Sequence, residues 1–180
     1  MDTKVGDERF DRHYRRMQLG LRLLSHGARA QTACEWSGLT PDRLNTLKRR
    51  WLPGAGDGFR GPAPTSFHPH FRSVTRAVHA SIFTGIYQTL YRYAKPDGSP
   101  SELHPTLENG ELLCEAYEVF RVWASESDME FDQAVLLARG VSSADIVELV
   151  RCPKCEGVVF IDKLARRKEF CPDCRRRPLD

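Results

Sequence analysis

The chain has 180 residues, 41% of them hydrophobic and 28% charged, an ordinary balance for one large domain or a medium domain with a small appendage. No stretch approaches about 18 uninterrupted apolar residues, and the first dozen residues carry no apolar core, which excludes a transmembrane helix and a secretory signal and points to the cytoplasm. The net charge of +3 divides unevenly: residues 1–60 carry 12 Lys/Arg against 7 Asp/Glu, residues 61–150 carry 6 against 12, and residues 151–180 carry 9 against 5.

Two basic ends flanking an acidic middle suggest a polyanion at the ends and a protein partner at the centre. In chain order, Phe10, Tyr14, Met17, Leu21, Leu24 and Ala28 recur at alternating spacings of four and three. That period places one apolar stripe on a helix, expected to face the core.

The next segment, from Ala30 to Trp51, has the layout of a helix-turn-helix. Cys34 stands where two helices approach and Gly38 stands in the turn four positions later. Thr40 is a ready N-cap, Pro41 suits the first helical position and Asp42 complements the helix dipole. Leu44, Leu47 and Trp51 share one face of the second helix and are expected to point inward. Asp42, Asn45, Thr46 and Arg49 lie opposite, with Arg43 and Arg50 beside them and Lys48 in the same basic cluster. Arginine can grip a guanine edge or a phosphate through two bonds, and Asn45 could pair with adenine, so this face is the candidate DNA reader.

Residues 53–64 hold four glycines and three prolines, which cannot continue a helix and begin a connector over 53–70. His68 and His70 fall within it and are expected in a solvated loop. Val74–Ala94 reads as a buried helix, with Val74, Val78, Ile82, Ile86 and Leu90 at spacing four. A turn cluster at 95–100 separates it from a helix over 111–126. That helix has Leu112, Leu113, Ala116, Tyr117, Phe120 and Trp123 inward, with Cys114 as a buried thiol. Residues 132–138 and 143–150 read as short helices, and 158–161 as a strand.

The strongest motif closes the chain. Cys152-Pro153-Lys154-Cys155 is followed, after fifteen intervening residues, by Cys171-Pro172-Asp173-Cys174. Two CxxC pairs separated by a hairpin's length suit a tetrahedral four-thiolate site, and soft thiolates select zinc or iron over magnesium or calcium. With all four positions filled by protein, no position is left for water, so the metal would be structural. Two disulfides are the alternative for these cysteines, but they need an oxidising compartment. Arg166, Arg167, Lys168, Arg175, Arg176 and Arg177 make the tail a nucleic-acid surface rather than a redox centre. No phosphate loop, nucleophile elbow or paired-carboxylate motif is present, so no enzymatic activity is expected.

The expected fold is therefore mainly α. Residues 1–150 form a helical domain for DNA and partner binding that contains the helix-turn-helix-like element. Residues 151–180 form a small zinc-ribbon-like module of four cysteines with a basic tail, unfolded without its metal. An RNA-binding or polymerase-associated zinc-ribbon protein, or a rubredoxin-like electron carrier, are the rival readings.

Four segments together resemble the FlhC family, the DNA-binding subunit of the bacterial flagellar master transcriptional activator. They are Gly27-Ala28-Arg29-Ala30-Gln31, Leu39-Thr40-Pro41-Asp42-Arg43-Leu44, His79-Ala80-Ser81-Ile82-Phe83-Thr84-Gly85-Ile86-Tyr87, and the paired CPKC and CPDC motifs. The resemblance runs from about Tyr14 to Cys174. It implies one structural zinc per chain on Cys152, Cys155, Cys171 and Cys174. It also implies association with FlhD, in an assembly of four FlhD and two FlhC, and activation of flagellar operons through promoter duplex DNA and RNA polymerase. DNA-contacting residues do not carry over from it one by one.

Overall fold

A computed structural model describes residues 4–54, 61–95, 103–164, Cys171 and Cys174. The first helix, α1 (Lys4–Ser25), ends as its sequence directs. Gly27 takes a left-handed φ of 77°, its N–H bonds Leu24 O, and Ala28 N–H reaches back to Leu23 O at 3.0 Å. That pairing closes the free carbonyls of the last turn, and glycine takes the left-handed backbone without a Cβ penalty.

The core face of α1 differs from the expected stripe. Leu19 and Leu23 are fully buried, whereas Phe10 and Tyr14 are 68% and 49% exposed. Met17, Leu21 and Leu24 are half-buried at the edge of the core. Apolar period alone cannot tell which side of a wide apolar face meets a neighbour, and residues 8–16 of α1 are all exposed.

Next come α2 (Ala30–Ser37) and α3 (Pro41–Trp51), joined through Gly38 at φ 67°. Both pack on α1. They come close at Gly20, where a Cβ would sit 2.9 Å from Leu44 Cδ2 and 3.0 Å from Leu39 Cδ1. Leu44 and Leu47 are buried as expected, but Trp51, the last residue of α3, is 60% exposed. The N-terminus of α2 lacks a cap of its own. Asp132 supplies one from afar, accepting the Arg29 backbone N–H at 3.0 Å and the Thr32 hydroxyl.

After the connector, α4 (His68–Phe71) is one turn long, and His70 on it is only 4% exposed. The solvated loop expected there is thus a short buried helix for His70. The helix α5 (Val74–Ala94) is capped by Ser73, whose hydroxyl accepts Arg76 N–H at 3.2 Å. Its deepest residues are Ala80, Phe83, Thr84 and Tyr87, one helical step round from the expected row. α6 (Leu107–Trp123) packs along it, with Phe120 edge-on to Phe83 at 5.8 Å. Trp123, expected inward, is 76% exposed at the last turn of α6.

A capping box between Glu130 and Gln133 starts α7 (Phe131–Ser143), which ends at Ala144 in a left-handed conformation of φ 53°. The helix expected over 143–150 is instead the strand β1 (Val147–Arg151). It pairs antiparallel with β2 (Val158–Asp162), Leu149 opposite Phe160. A strand at 158–161 needs a hydrogen-bonding partner, and β-branched Val147 and Val150 supply it.

The uneven charge along the chain is partly neutralised within the fold. Arg15 pairs with Glu111 and Arg22 with Glu118, each at 2.6 Å, and Arg29 reaches Glu130 at 3.1 Å. These contacts fasten the basic first helices to the acidic middle.

Candidate metal centre and nucleic-acid interface

The two strands feed the first cysteine knuckle directly. Cys152 follows β1, its N–H bonds Gly157 O at 2.9 Å, and its carbonyl accepts Glu156 N–H at 2.8 Å. The turn forces Glu156 to a φ of 57°, a conformation glycine would take more readily. It brings Cys152 and Cys155 to the same side, while Cys171 and Cys174 come from the far end.

All four sulfurs lie within 4.8 Å of one another. A zinc–sulfur bond of about 2.3 Å puts the sulfurs of a tetrahedral site about 3.8 Å apart. Cys155 Sγ and Cys171 Sγ are 3.8 Å apart. The set can hold a metal ion.

Backbone amides prepare the sulfurs for charge. Cys171 N–H donates to Cys152 Sγ, and Cys174 N–H donates to Cys171 Sγ, each at 3.3 Å. The first of these bonds is the main reason the Cys152 thiol is pulled down to about 6. Cys174 is pushed up to about 12, chiefly by its hydrogen bonding with Cys171. Four adjacent thiols cannot all ionise unaided, because each thiolate opposes the next. A bound cation removes that opposition.

The cluster is seated on the helices through β2. Phe160 stacks on Phe71 at 5.3 Å and lies 6.3 Å from Phe67, and its N–H donates to Ser81 Oγ of α5 at 2.9 Å. Phe160 therefore belongs to the main hydrophobic core, whereas Cys152, Val159 and Cys174 form a separate small cluster.

The second candidate surface is α3. Asp42, Asn45, Thr46, Lys48 and Arg49 line an open concavity of about 760 Å³ with Leu52, Pro53 and Gly54. Leu44 and Leu47 are buried on the opposite side, so the polar face is turned outward by its own amphipathicity.

A model of the flagellar transcriptional activator FlhC family matches residues 10–178. The chain belongs to the FlhC family. No curated protein matches it. The family consists of flagellar transcriptional activators, and the mainly helical fold with a terminal four-cysteine cluster agrees with that membership.

For this FlhC family member the expected site residues fall into three groups. Cys152, Cys155, Cys171 and Cys174 come together in one cluster. Arg43, Asn45, Thr46, Arg49 and Arg50 are exposed on α3, and Lys48 is half-buried. Within that set, Thr46 donates its hydroxyl to Asp42 O at 2.9 Å, and the Arg50 guanidinium lies 5.6 Å from the Trp51 ring. Arg166, Arg167, Lys168, Arg175, Arg176 and Arg177 lie outside the described residues.

Sequence reading missed the residues that position these groups. Asp132 stands about a hundred positions from the helix it caps, and nothing local marks it. Ser81 and Phe160 look like ordinary helix and strand residues until the fold brings them together. No helix among the described residues is long and apolar enough to cross a membrane.

Proposed function

We propose that the chain is the promoter-reading subunit of a cytoplasmic activator complex with FlhD, in an assembly of four FlhD and two FlhC. The complex binds duplex promoters of flagellar operons and recruits RNA polymerase. The observation that carries this reading is the α2–turn–α3 unit, whose second helix presents Asn45, Arg49 and Arg50 outward over a buried Leu44 and Leu47. In this reading α3 enters the major groove, Arg49 and Asn45 meet base edges, and Arg43, Lys48 and Arg50 meet phosphates. The basic tail residues 166–168 and 175–177 add further phosphate contacts.

One zinc per chain, held by Cys152, Cys155, Cys171 and Cys174, would supply charge neutralisation and a rigid four-way link between the two knuckles. The role is structural, and no reaction is assigned to it. Iron would take the same four sulfurs and give visible absorbance, so a colourless, zinc-loaded protein supports this reading. The exposed Val119, Val122 and Trp123 of α6, with Val78 of α5, support a protein partner over that side of the fold.

The test is a promoter footprint with the partner present. Arg49→Ala/Arg50→Ala should weaken protection and flatten its salt dependence while zinc content and partner binding stay unchanged. An intact variant that keeps wild-type affinity and salt slope removes α3 from the DNA. Preferential binding of structured RNA over duplex DNA would favour the RNA-binding alternative.

A further inference from the structure

The arginines of α1 divide into two sets with different surroundings. Arg15 and Arg22 turn toward α6, where each meets a glutamate at 2.6 Å. Arg9, Arg12 and Arg16 lie on another side. At about 100° per residue, Arg9 and Arg16 fall within about 20° of each other and Arg12 within about 60°, whereas Arg15 is about 100° from Arg16. All three are exposed, and none pairs with a carboxylate among the described residues.

That side of α1 is the side that carries the helix-turn-helix unit. Gly20, where Leu44 of α3 approaches closely, continues the line of Arg9, His13 and Arg16 along the helix. The Arg16 guanidinium lies over the turn, where a Cβ on Gly38 would sit 3.6 Å from its Cζ. Arg43, at the start of α3, extends its Nη2 to within 3.6 Å of Met17 Sδ. Beyond Arg16 the line runs on through His13, Arg12 and Arg9, all of them exposed.

Acids do not share this side evenly. On α1, Asp11 lies toward α6, and Glu8 stands at the near edge, about 40° from Arg12. Glu35 of α2 is held by Arg139 at 2.7 Å. Asp42 is the one acid on the outward face of α3. The exposed Phe10–Tyr14 stack occupies the adjoining face of α1, so a protein partner there is the competing occupant.

We infer that Arg9, Arg12 and Arg16 form a phosphate clamp on α1, gripping the backbone of the same duplex whose bases face α3. The inference rests on the proposed role of α3 in DNA reading and adds a second, sequence-independent contact. Exposed guanidinium groups in a row, with no carboxylate partner among the described residues, suit phosphate, which takes two of their N–H donors at once. The seven helical steps from Arg9 to Arg16 span about 10 Å, close to the axial rise of three phosphate steps on one strand. Such contacts fix position and affinity and carry no sequence information.

The test uses the full chain with its co-purified partner, binding a labelled promoter duplex and a scrambled duplex of equal length between 50 and 200 mM salt. Arg16 is left intact because it covers the turn, and Arg9→Gln/Arg12→Gln changes only exposed side chains. This variant should bind both duplexes more weakly, with promoter preference unchanged. Its logarithmic salt slope should be shallower by about two, so that the affinity lost across that salt range shrinks about tenfold. Arg49→Ala, by contrast, should reduce promoter preference. An unchanged slope in the α1 variant overturns the clamp, including the case in which that variant instead loses its protein partner. If Arg49→Ala has no effect while the α1 variant behaves as expected, the clamp stands and the α3 reading fails. A wild-type complex that binds neither duplex overturns both.

Discussion

The helical body and the cysteine module are held together by different means. The body buries a continuous set of side chains, including Trp36, Tyr87, Phe83, Phe120 and Phe131, each at most 1% exposed. Burying residues of this size is worth about 2–3 kcal/mol each, enough to fix the seven helices of the described residues without any cross-link. Among the described residues, the module's own cluster consists of Cys152, Val159 and Cys174, flanked by Val150, Ile161 and Cys171. Half of those six are candidate metal ligands, so its apolar surface cannot hold two knuckles in register. A body built from packing should tolerate loss of a metal, whereas a module built from ligands should not.

The hairpin blurs this contrast in one place. β2 belongs to the module by sequence, but its Phe160 lies in the body's core against Phe71 and Phe67. The metal-dependent part should therefore be narrower than residues 151–180, confined to the knuckles themselves.

The largest effect is expected at the ligands. Cys171→Ser should abolish retention of about one metal per chain against a chelator, because a structural zinc site contributes on the order of 10 kcal/mol through its full ligand set. Elemental analysis after dialysis checks this, and unchanged metal content would contradict it. The helical circular dichroism should barely change.

Phe160→Ala should reverse the pattern. Its cost of about 3–5 kcal/mol should appear as a lower urea midpoint for the body, even though the substitution lies in the module's sequence. A change limited to metal affinity would show that β2 is not part of the body's core.

A third expectation concerns acid. Burial, reinforced by Arg76, lowers the His70 imidazole from 6.5 to about 4, with Asp128 acting the other way. The unfolded chain then takes up the proton first. The contribution of neutral His70 is complete above about pH 6.5 and is lost as pH falls from there toward 4. Thermal melts of the body across that window should show a slope that His70→Gln reduces.

The smallest effects are two backbone reliefs, one in each region. Ala144 at φ 53° and Glu156 at φ 57° occupy the left-handed region without being glycine. Ala144→Gly should stabilise the body by about 1 kcal/mol, whereas Glu156→Gly should tighten the metal site by a similar amount and leave the body's midpoint unchanged. Equal responses from the body to both would break the division.

What could be read from the sequence follows the range of the interactions. The cysteine pairs and the limits of α5, Val74 to Ala94, are visible because spacing and capping are local. Thr40 and Pro41 announce α3 for the same reason. Exposure of Phe10, Trp51 and Trp123 could not be read, because a helical period reports an apolar face but not whether a neighbour covers it. β1 was hidden because residues 143–150 are compatible with either period until β2 supplies its partner. His70 and Asp132 depend on contacts with segments far along the chain, and single residues carry no pattern that reveals them.

Hydrogen exchange of the full chain before and after metal removal tests the division between body and module most directly. The amides of Cys152, Glu156, Cys171 and Cys174, bonded within the cluster, should lose their protection when the metal is stripped. The amide of Phe160, bonded to Ser81, and those of α5 to α7 should keep theirs. Loss of protection throughout the chain, or no loss at the four knuckle amides, would contradict the account.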